Sequence, residues 1–311
     1  MTLAKESAQP PVSQIGSKMT ETEFRKFRKL VYAGTYLFCP DAQKPLFERK
    51  VALRLTALQV PSFQAYYTLL TATPAGAAEF TKLIDVVAVH ETSFFRIAGH
   101  FTGLETHVFP AFLAAAKVPG TSEVPDTSTV RVWSAGCSTG EEPYSIAMTF
   151  LEAISRSGRP AAEAAQLKIL ATDMSPAVIA QAQAGSYAPA KVRKIPQPLL
   201  DKYWACQDNY YQVTPQVKNC IQWQTFNLIK LETPPASAFE IIFCRNLLIY
   251  FDRAAQKRVL MGLTKVLVEG GYLFLGDAES LHPFPEAVAQ FQLIETGDAI
   301  FYRKRGVQVN D

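Results

Sequence analysis

Two acids follow a glycine turn in this chain, and that pairing is the first place to look for chemistry. The segment Val130–Met148 reads VRVWSAGCSTGEEPYSIAM. Val130–Ser134 is an apolar run of strand type, Gly136 and Gly140 bracket a turn, and Glu141 and Glu142 stand where a helix should begin. Glycine turns of this kind often cradle phosphate. A Walker A loop, however, needs Lys after its last glycine, and here Glu141 follows Gly140. A dinucleotide fingerprint needs G-x-G-x-x-G and a helix N-terminus free to meet pyrophosphate. The spacing here is G-x-x-x-G, with two carboxylates at the helix start. Charge disfavours both phosphate ligands.

A cationic ligand without phosphate suits the turn better. S-Adenosylmethionine carries an ammonium and a sulfonium, and its ribose asks for a second acid at the end of the following strand. The segment KILATDMS supplies Asp173 there. Acids are favoured in the first turn of any helix, so Glu141 and Glu142 alone decide nothing. A glycine turn, a helix-start acid and a strand-end acid together point to this cofactor.

The elements that must position these residues fall into two patterns. From Thr20 to about Thr71 the spacing is helical throughout. Thr20–Glu23 fits a capping box ahead of Phe24, Phe27, Leu30 and Val31; a second helix is predicted over Gln43–Leu58, a third from Ser62 and a fourth over Ala77–Val89. Phe101–Lys117 reads as a fifth, kinked at Pro110. After the turn-rich stretch Val118–Thr129 the pattern becomes α/β. Strands are expected at Val130–Ser134, Leu167–Ala171, Glu240–Phe243 and Tyr272–Leu275, with helices at Pro143–Arg156, Ser175–Ala184 and Arg253–Val268. Tyr187–Phe226 is too long for a connecting loop. Its β-like runs NYYQVT and CIQWQTF predict a small inserted subdomain, and FQLIETGDAIFYRKR predicts an edge hairpin. The expected divisions are a flexible tail over 1–18, a helical domain over 19–117, a linker over 118–129, an α/β domain over 130–305 with its insertion at 187–226, and a tail over 306–311.

Composition excludes several classes. The 311 residues carry a net charge of +3, too weak to argue for nucleic acid. Five cysteines without CxxC spacing read as reduced thiols of a cytosolic protein, with no metal site. No apolar run reaches the ~18 residues of a membrane span. Cys137 lies in the glycine turn with no His near in sequence, so a small turn residue is expected there rather than a nucleophile. His100 and His107 read as ordinary helix residues.

In order along the chain stand HETSFFR (His90–Arg96), WSAGCSTGEEPYS (Trp133–Ser145), ATDMS (Ala171–Ser175), FNL (Phe226–Leu228), FCRNLLIYFD (Phe243–Asp252) and GDAESL (Gly276–Leu281). From about Thr20 to Arg303 the chain resembles the CheR family of chemoreceptor glutamate methyltransferases. That resemblance implies a class I, Rossmann-like methyltransferase sheet, an N-terminal all-helical domain and a small β-subdomain inserted late in the sheet. It implies S-adenosylmethionine as cofactor and S-adenosylhomocysteine as product. Gly136 belongs to the cofactor turn, Thr92 and Arg96 to the loop closing over the site, Glu141 to the methionine end, Asp173 to the ribose, and Asn227 and Leu228 to the adenine. Arg245, Asn246 and Tyr250 are implied beside the transferable methyl, with Arg96, Arg245 and Tyr250 as catalytic residues. The implied cofactor contacts also include His90, which stands where the family commonly has Asn, and a polar pair often replaces Asp277-Ala278.

The implied reaction is methyl transfer to a glutamate side chain. An unperturbed Glu has a pKa of about 4.3, so the acceptor is already ionised and no general base is required. Alignment and desolvation should supply the catalysis. Lys44, Arg49, Lys50 and Arg54 on the second helix read either as a solvated face or as a positive surface for the acidic cytoplasmic helices of a chemoreceptor (a methyl-accepting chemotaxis protein). In some family members the β-subdomain also takes a receptor's C-terminal peptide by strand addition. The rival classes are a methyltransferase of this fold acting on another protein or a small molecule, and a non-catalytic module that senses the cofactor.

Overall fold

The computed structural model describes residues 18–115, 129–158, 166–234, 236 and 238–306. The expected tails, apart from Lys18 and Gly306, and the linker apart from Thr129 lie outside the described residues. Contacts divide the chain into two units between Val89 and His90.

The first unit holds helices α1 (Glu21–Thr35), α2 (Lys44–Leu58), α3 (Phe63–Ala72) and α4 (Gly76–Val87). The capping box at α1 is complete: Thr20 Oγ1 accepts the Glu23 N–H at 3.2 Å, and Glu23 accepts the Thr20 N–H at 2.9 Å. Phe24, Phe27, Phe47, Val51, Leu55, Tyr66 and Leu83 are buried. Among them sits one buried acid, Glu79. Arg54 donates to its two oxygens at 2.8 and 3.0 Å, and the Tyr66 hydroxyl donates at 2.9 Å. Burial pushes the Glu79 carboxyl up, but these bonds outweigh it and hold the group below its usual range.

This changes the reading of the basic helix. Lys44 pairs with Glu21 at 2.7 Å, Lys50 Nζ donates to the Val87 and Ala88 carbonyls at 3.0 and 3.2 Å, and Arg54 binds Glu79. Three of the four cations are thus committed inside the unit, Lys50 to the negative end of α4. Arg49 is exposed.

The second unit is built on strands β1 (Thr129–Ala135), β2 (Gln166–Asp173), β3 (Ser186–Tyr187), β4 (Trp204–Gln207), β5 (Tyr210–Val213), β6 (Ile221–Thr225), β7 (Phe239–Cys244), β8 (Leu267–Leu275), β9 (Phe291–Thr296) and β10 (Ala299–Lys304). Seven of them form one sheet in the order β6-β2-β1-β7-β8-β10-β9. The pairs from β6 to β8 are parallel, and β10 runs antiparallel to both neighbours. The order reverses at β1, which lies between β2 and β7, so the crevice at the carboxyl ends of β1 and β7 is the topological switch point. Helix α7 (Glu141–Ser157) buries Tyr144, Ile146, Ala147 and Phe150 in one core with Val132, Ile169, Ile241 and Phe243.

Three expectations need correction. The fifth helix belongs to this second unit, not to the helical domain. It runs as α5 (Ala98–Gly103), a π-helical turn over Leu104–Val108, and α6 (Phe109–Ala115), and Phe101, Leu104, Val108 and Phe109 join the sheet's core. The wide turn ends two residues before Pro110, whose ring crowds the carbonyl four residues back. The inserted sheet is smaller than predicted: it has the order β3-β5-β4 within Ser186–Val213. Residues of CIQWQTF form β6, an edge of the main sheet, in register from Ile169↔Ile221 to Asp173↔Thr225. An alternating run has one apolar face in either sheet, so periodicity does not say which sheet it joins. Finally, the insertion comes early. It follows helix α8 (Pro176–Ala184) and precedes the third main strand in chain order.

Candidate active site

The glycine turn lies at the switch point. Gly136 (φ 83°), Ser138 (φ 48°) and Gly140 (φ 96°) take left-handed backbone. A Cβ at Gly140 would lie 2.8 Å from the Ala182 Cβ, so conformation and space both demand glycine there. The N–H groups of Gly136 and Cys137 donate to the Thr172 carbonyl at 2.8 and 2.9 Å, which ties the turn to the end of β2. Asp173 follows. Its two oxygens accept the Ser138 and Ser175 N–H groups, each at 3.0 Å. Burial pushes this carboxyl up, while the Ser175 N–H and the neighbouring His90 side chain act against the rise. The His90 carbonyl also takes the Ser138 hydroxyl at 3.1 Å. The Phe226 N–H donates to the Asp173 carbonyl at 2.9 Å, which brings Asn227 and Leu228 beside the acid. Asn227 caps the following turn through the Ile229 N–H at 3.1 Å, and Leu228 is buried.

The two helix-start acids point different ways, as neighbours about 100° apart around a helix must. Glu141 is fully buried and turned away from the strand ends: it accepts from Thr139 Oγ1 at 2.6 Å and from Lys191 Nζ at 2.9 Å. Glu142 instead reaches back to the crevice. It accepts the Ser134 hydroxyl at 2.7 Å and faces Arg245 at 3.4 Å. Burial raises its carboxyl pKa, against the Arg245 charge and the Ser134 bond. Of the two acids of the motif, Glu142 is the one that faces Arg245, while Glu141 pairs with Lys191.

Arg245 follows β7 and is buried. Its guanidinium packs over the Phe101 and Phe243 rings with centroids at 5.6 and 5.7 Å, and NH2 donates to the Arg96 carbonyl. That bond holds the HETSFFR loop. Phe94 is buried there edge-on to Tyr187 and Trp204, the Phe95 N–H donates to Ser145 Oγ at 3.0 Å, and the Arg96 side chain turns back to the Glu91 carbonyl at 2.8 Å. Phe95 (φ 51°) and Ile97 (φ 60°) carry the left-handed turns that make this possible. Thr92 is half-buried on the same loop.

Beyond Arg245 the chain turns sharply at Asn246 (φ 56°). A residue to which sequence reading gave no role, Glu279, holds that turn. One oxygen accepts the N–H groups of Leu247, Leu248 and Ile249 at 2.8, 2.6 and 3.3 Å; the other accepts those of Asn246 and Gly276, each at 2.7 Å. The signal was present, since Glu279 lies within the GDAESL motif. Tyr250 closes the turn with its N–H on the Leu247 carbonyl at 3.1 Å. Burial raises its hydroxyl pKa, and the charge of nearby Arg96 acts the other way. Cys137 is buried with its thiol pushed well up by burial, unfit as a nucleophile.

The residues fit S-adenosylmethionine. Two partly buried carboxylates, Asp173 and Glu142, stand at the switch point. No lysine or arginine stands in the glycine turn to hold a phosphate. Asp173 would hold the ribose, Glu142 the ammonium end, and Asn227 and Leu228 the adenine. Among the described residues no group of His, Cys, Asp and Glu could hold a metal ion, and no helix is long and apolar enough to cross a membrane.

Comparison with known proteins agrees with this geometry. Residues 90–297 match the family model described as the S-adenosylmethionine-binding domain of CheR methyltransferase, and residues 22–88 match the CheR all-alpha domain. A probable chemotaxis protein methyltransferase of Rhizobium etli is 32% identical over 80% of this chain and 89% of its own length. Chemotaxis protein methyltransferase 2 of Vibrio cholerae is 30% identical over 85% of this chain and 87% of its own. An uncharacterized 104.1 kDa protein of Rhodobacter capsulatus is 36% identical over 78% of this chain, which spans only 24% of that protein.

Proposed function

The chain belongs to the CheR methyltransferase family and uses S-adenosylmethionine, and from that premise we propose that it methylates glutamate side chains in the cytoplasmic helices of chemoreceptors. One observation carries the choice of acceptor. Buried Arg245 donates to the carbonyl of Arg96, Tyr250 follows five residues on, and the carboxylates Glu142 and Glu279 are engaged by Arg245 and by five backbone N–H groups. Cationic groups there favour an anionic acceptor, and a carboxylate, ionised at neutral pH, needs no base.

When bound, the cofactor would supply an electrophilic methyl on its sulfonium, which the acceptor carboxylate would take as a methyl ester with S-adenosylhomocysteine as the leaving group. The protein's part is to orient and desolvate. Arg96 steers the acceptor carboxylate, the Tyr250 hydroxyl donates to one of its oxygens, and Arg245 fixes the loop that carries Arg96. Loop closure keeps water from the sulfonium. Relatives named as chemotaxis methyltransferases support a receptor substrate. The reaction then runs in the cytoplasm. On α2, Arg49 remains available for an acidic receptor helix, and the edge strand β4 can accept a receptor's C-terminal peptide as an added strand.

The test is transfer of radiolabelled methyl from S-adenosylmethionine to a receptor cytoplasmic fragment, beside the same fragment with its candidate glutamates changed to alanine. Label on the first alone supports the reading. Equal label on both, or on small carboxylic acids only, overturns it.

A further inference from the structure

Below the site lie two buried polar atoms that the mechanism has not used. His100, on α5, is 3% exposed, and its Nε2 lies 3.1 Å from the Ile300 carbonyl. A carbonyl only accepts, so Nε2 carries the proton and Nδ1 is left as a lone pair. That Nδ1 has no partner. Arg245 uses NH1 towards Glu142 and NH2 towards the Arg96 carbonyl, and its Nε–H, a donor, is also buried without a partner. The two side chains flank one aromatic stack. Arg245 lies over Phe243 at 5.7 Å, Phe243 stacks on Phe274 at 4.4 Å, and His100 meets Phe274 edge-on at 5.3 Å. Burial, followed by the Arg245 charge, lowers the His100 pKa to about 4, so the ring stays neutral and its lone pair stays available.

We propose that His100 is a positioning residue for Arg245: its Nδ1 accepts the guanidinium Nε–H through one buried water, and so fixes the aim of the other two nitrogens. A buried donor and a buried acceptor facing the same ring stack are each costly alone and satisfied together. With Nε held, NH1 stays on Glu142 and NH2 on the Arg96 carbonyl, and the loop bearing Arg96 keeps one geometry. His100 therefore acts on methyl transfer without touching substrate or cofactor. The inference rests on the assignment of Arg245 and Arg96 to the acceptor side.

Two substitutions separate this role from plain packing. In His100→Asn, Oδ1 falls where Nδ1 was and the bond to Ile300 is lost. In His100→Gln, the amide nitrogen reaches Ile300 and the Nδ1 acceptor is lost. The Gln protein should lose about tenfold in kcat at unchanged affinity for S-adenosylhomocysteine, as expected for one charged hydrogen bond. The Asn protein should regain most of that rate despite a lower Tm. Activity that follows Tm in both variants would overturn the proposal. Nitrogen-15 NMR of the full chain reads the bond without any turnover. Wild type should show a slowly exchanging Arg245 Nε–H and a hydrogen-bonded Nδ1, the former lost in His100→Gln; a fast-exchanging Nε–H in wild type would overturn it even if no variant folds. If instead the NMR bond is present and Arg245→Lys methylates at the full rate, the assignment of Arg245 fails and the bond alone stands.

Discussion

Glu142→Gln separates the two acids at the helix start. Glutamine keeps the side-chain shape and can still accept from Ser134, now at 2.7 Å, but it removes the charge that faces Arg245 at 3.4 Å. Two losses follow. The cationic cofactor loses a buried carboxylate, and a charged interaction of this kind is worth about 1.5–3 kcal/mol. At 1.4 kcal/mol per decade, affinity should fall roughly 10- to 100-fold. Arg245 also loses its countercharge. Breaking a buried pair costs about 3–5 kcal/mol, and the long contact puts this one at or below the low end of that range. Glu141→Gln is the control. It loosens Lys191, whose side chain is 46% exposed and can return to water, so the cost should be about 1 kcal/mol with cofactor affinity within roughly twofold of wild type. Titration calorimetry with S-adenosylmethionine and urea unfolding read the two effects separately. A large loss of affinity in Glu141→Gln with none in Glu142→Gln would refute the placement of the acids.

Acidification should weaken cofactor binding early. Burial raises the Asp173 and Glu142 carboxyls above their ordinary range. A raised folded-state pKa adds stability to the free protein below the unfolded value and loses it as pH rises through the folded value, whereas binding a cation needs both groups ionised. Affinity should therefore begin to fall at a pH above the ordinary carboxylate value of about 4, and Asp173→Asn should be weak and flatter across a calorimetric pH series. Glu279→Gln replaces an oxygen that accepts backbone N–H groups with an amide that cannot; urea unfolding should show a loss of more than about 3 kcal/mol. In the first unit, Arg54→Ala strands the buried Glu79 and should cost about 3–5 kcal/mol, while the exposed Arg49→Glu should leave stability within about 0.5 kcal/mol and raise the receptor KM. An unchanged receptor KM would remove Arg49 from the docking surface.

The parts legible in the sequence are those whose signal is local. The turn from Gly136 to Gly140, the capping box at Thr20 and the strand-end acid Asp173 each depend on neighbours a few residues away, and each was found. What sequence missed depends on partners far along the chain. Lys50 and Arg54 look like a solvated run until Val87, Ala88 and Glu79 come beside them. Glu279 looks like one polar residue among several until the backbone from Asn246 to Ile249 folds onto it. Which of Glu141 and Glu142 faces Arg245 turns on a single helical step, and the sheet joined by Ile221–Thr225 on which edge is open. Neither is fixed by residue type.

Mass spectrometry of a receptor cytoplasmic fragment, incubated with the protein and methyl-labelled S-adenosylmethionine, tests the central claim most directly. Peptide mapping should find the labelled methyl as a base-labile ester on glutamate side chains, absent when Tyr250→Phe and Arg96→Ala are combined in the enzyme. Label on lysine, arginine or a terminal amine, or no label on any receptor glutamate while the protein binds cofactor normally, would contradict it.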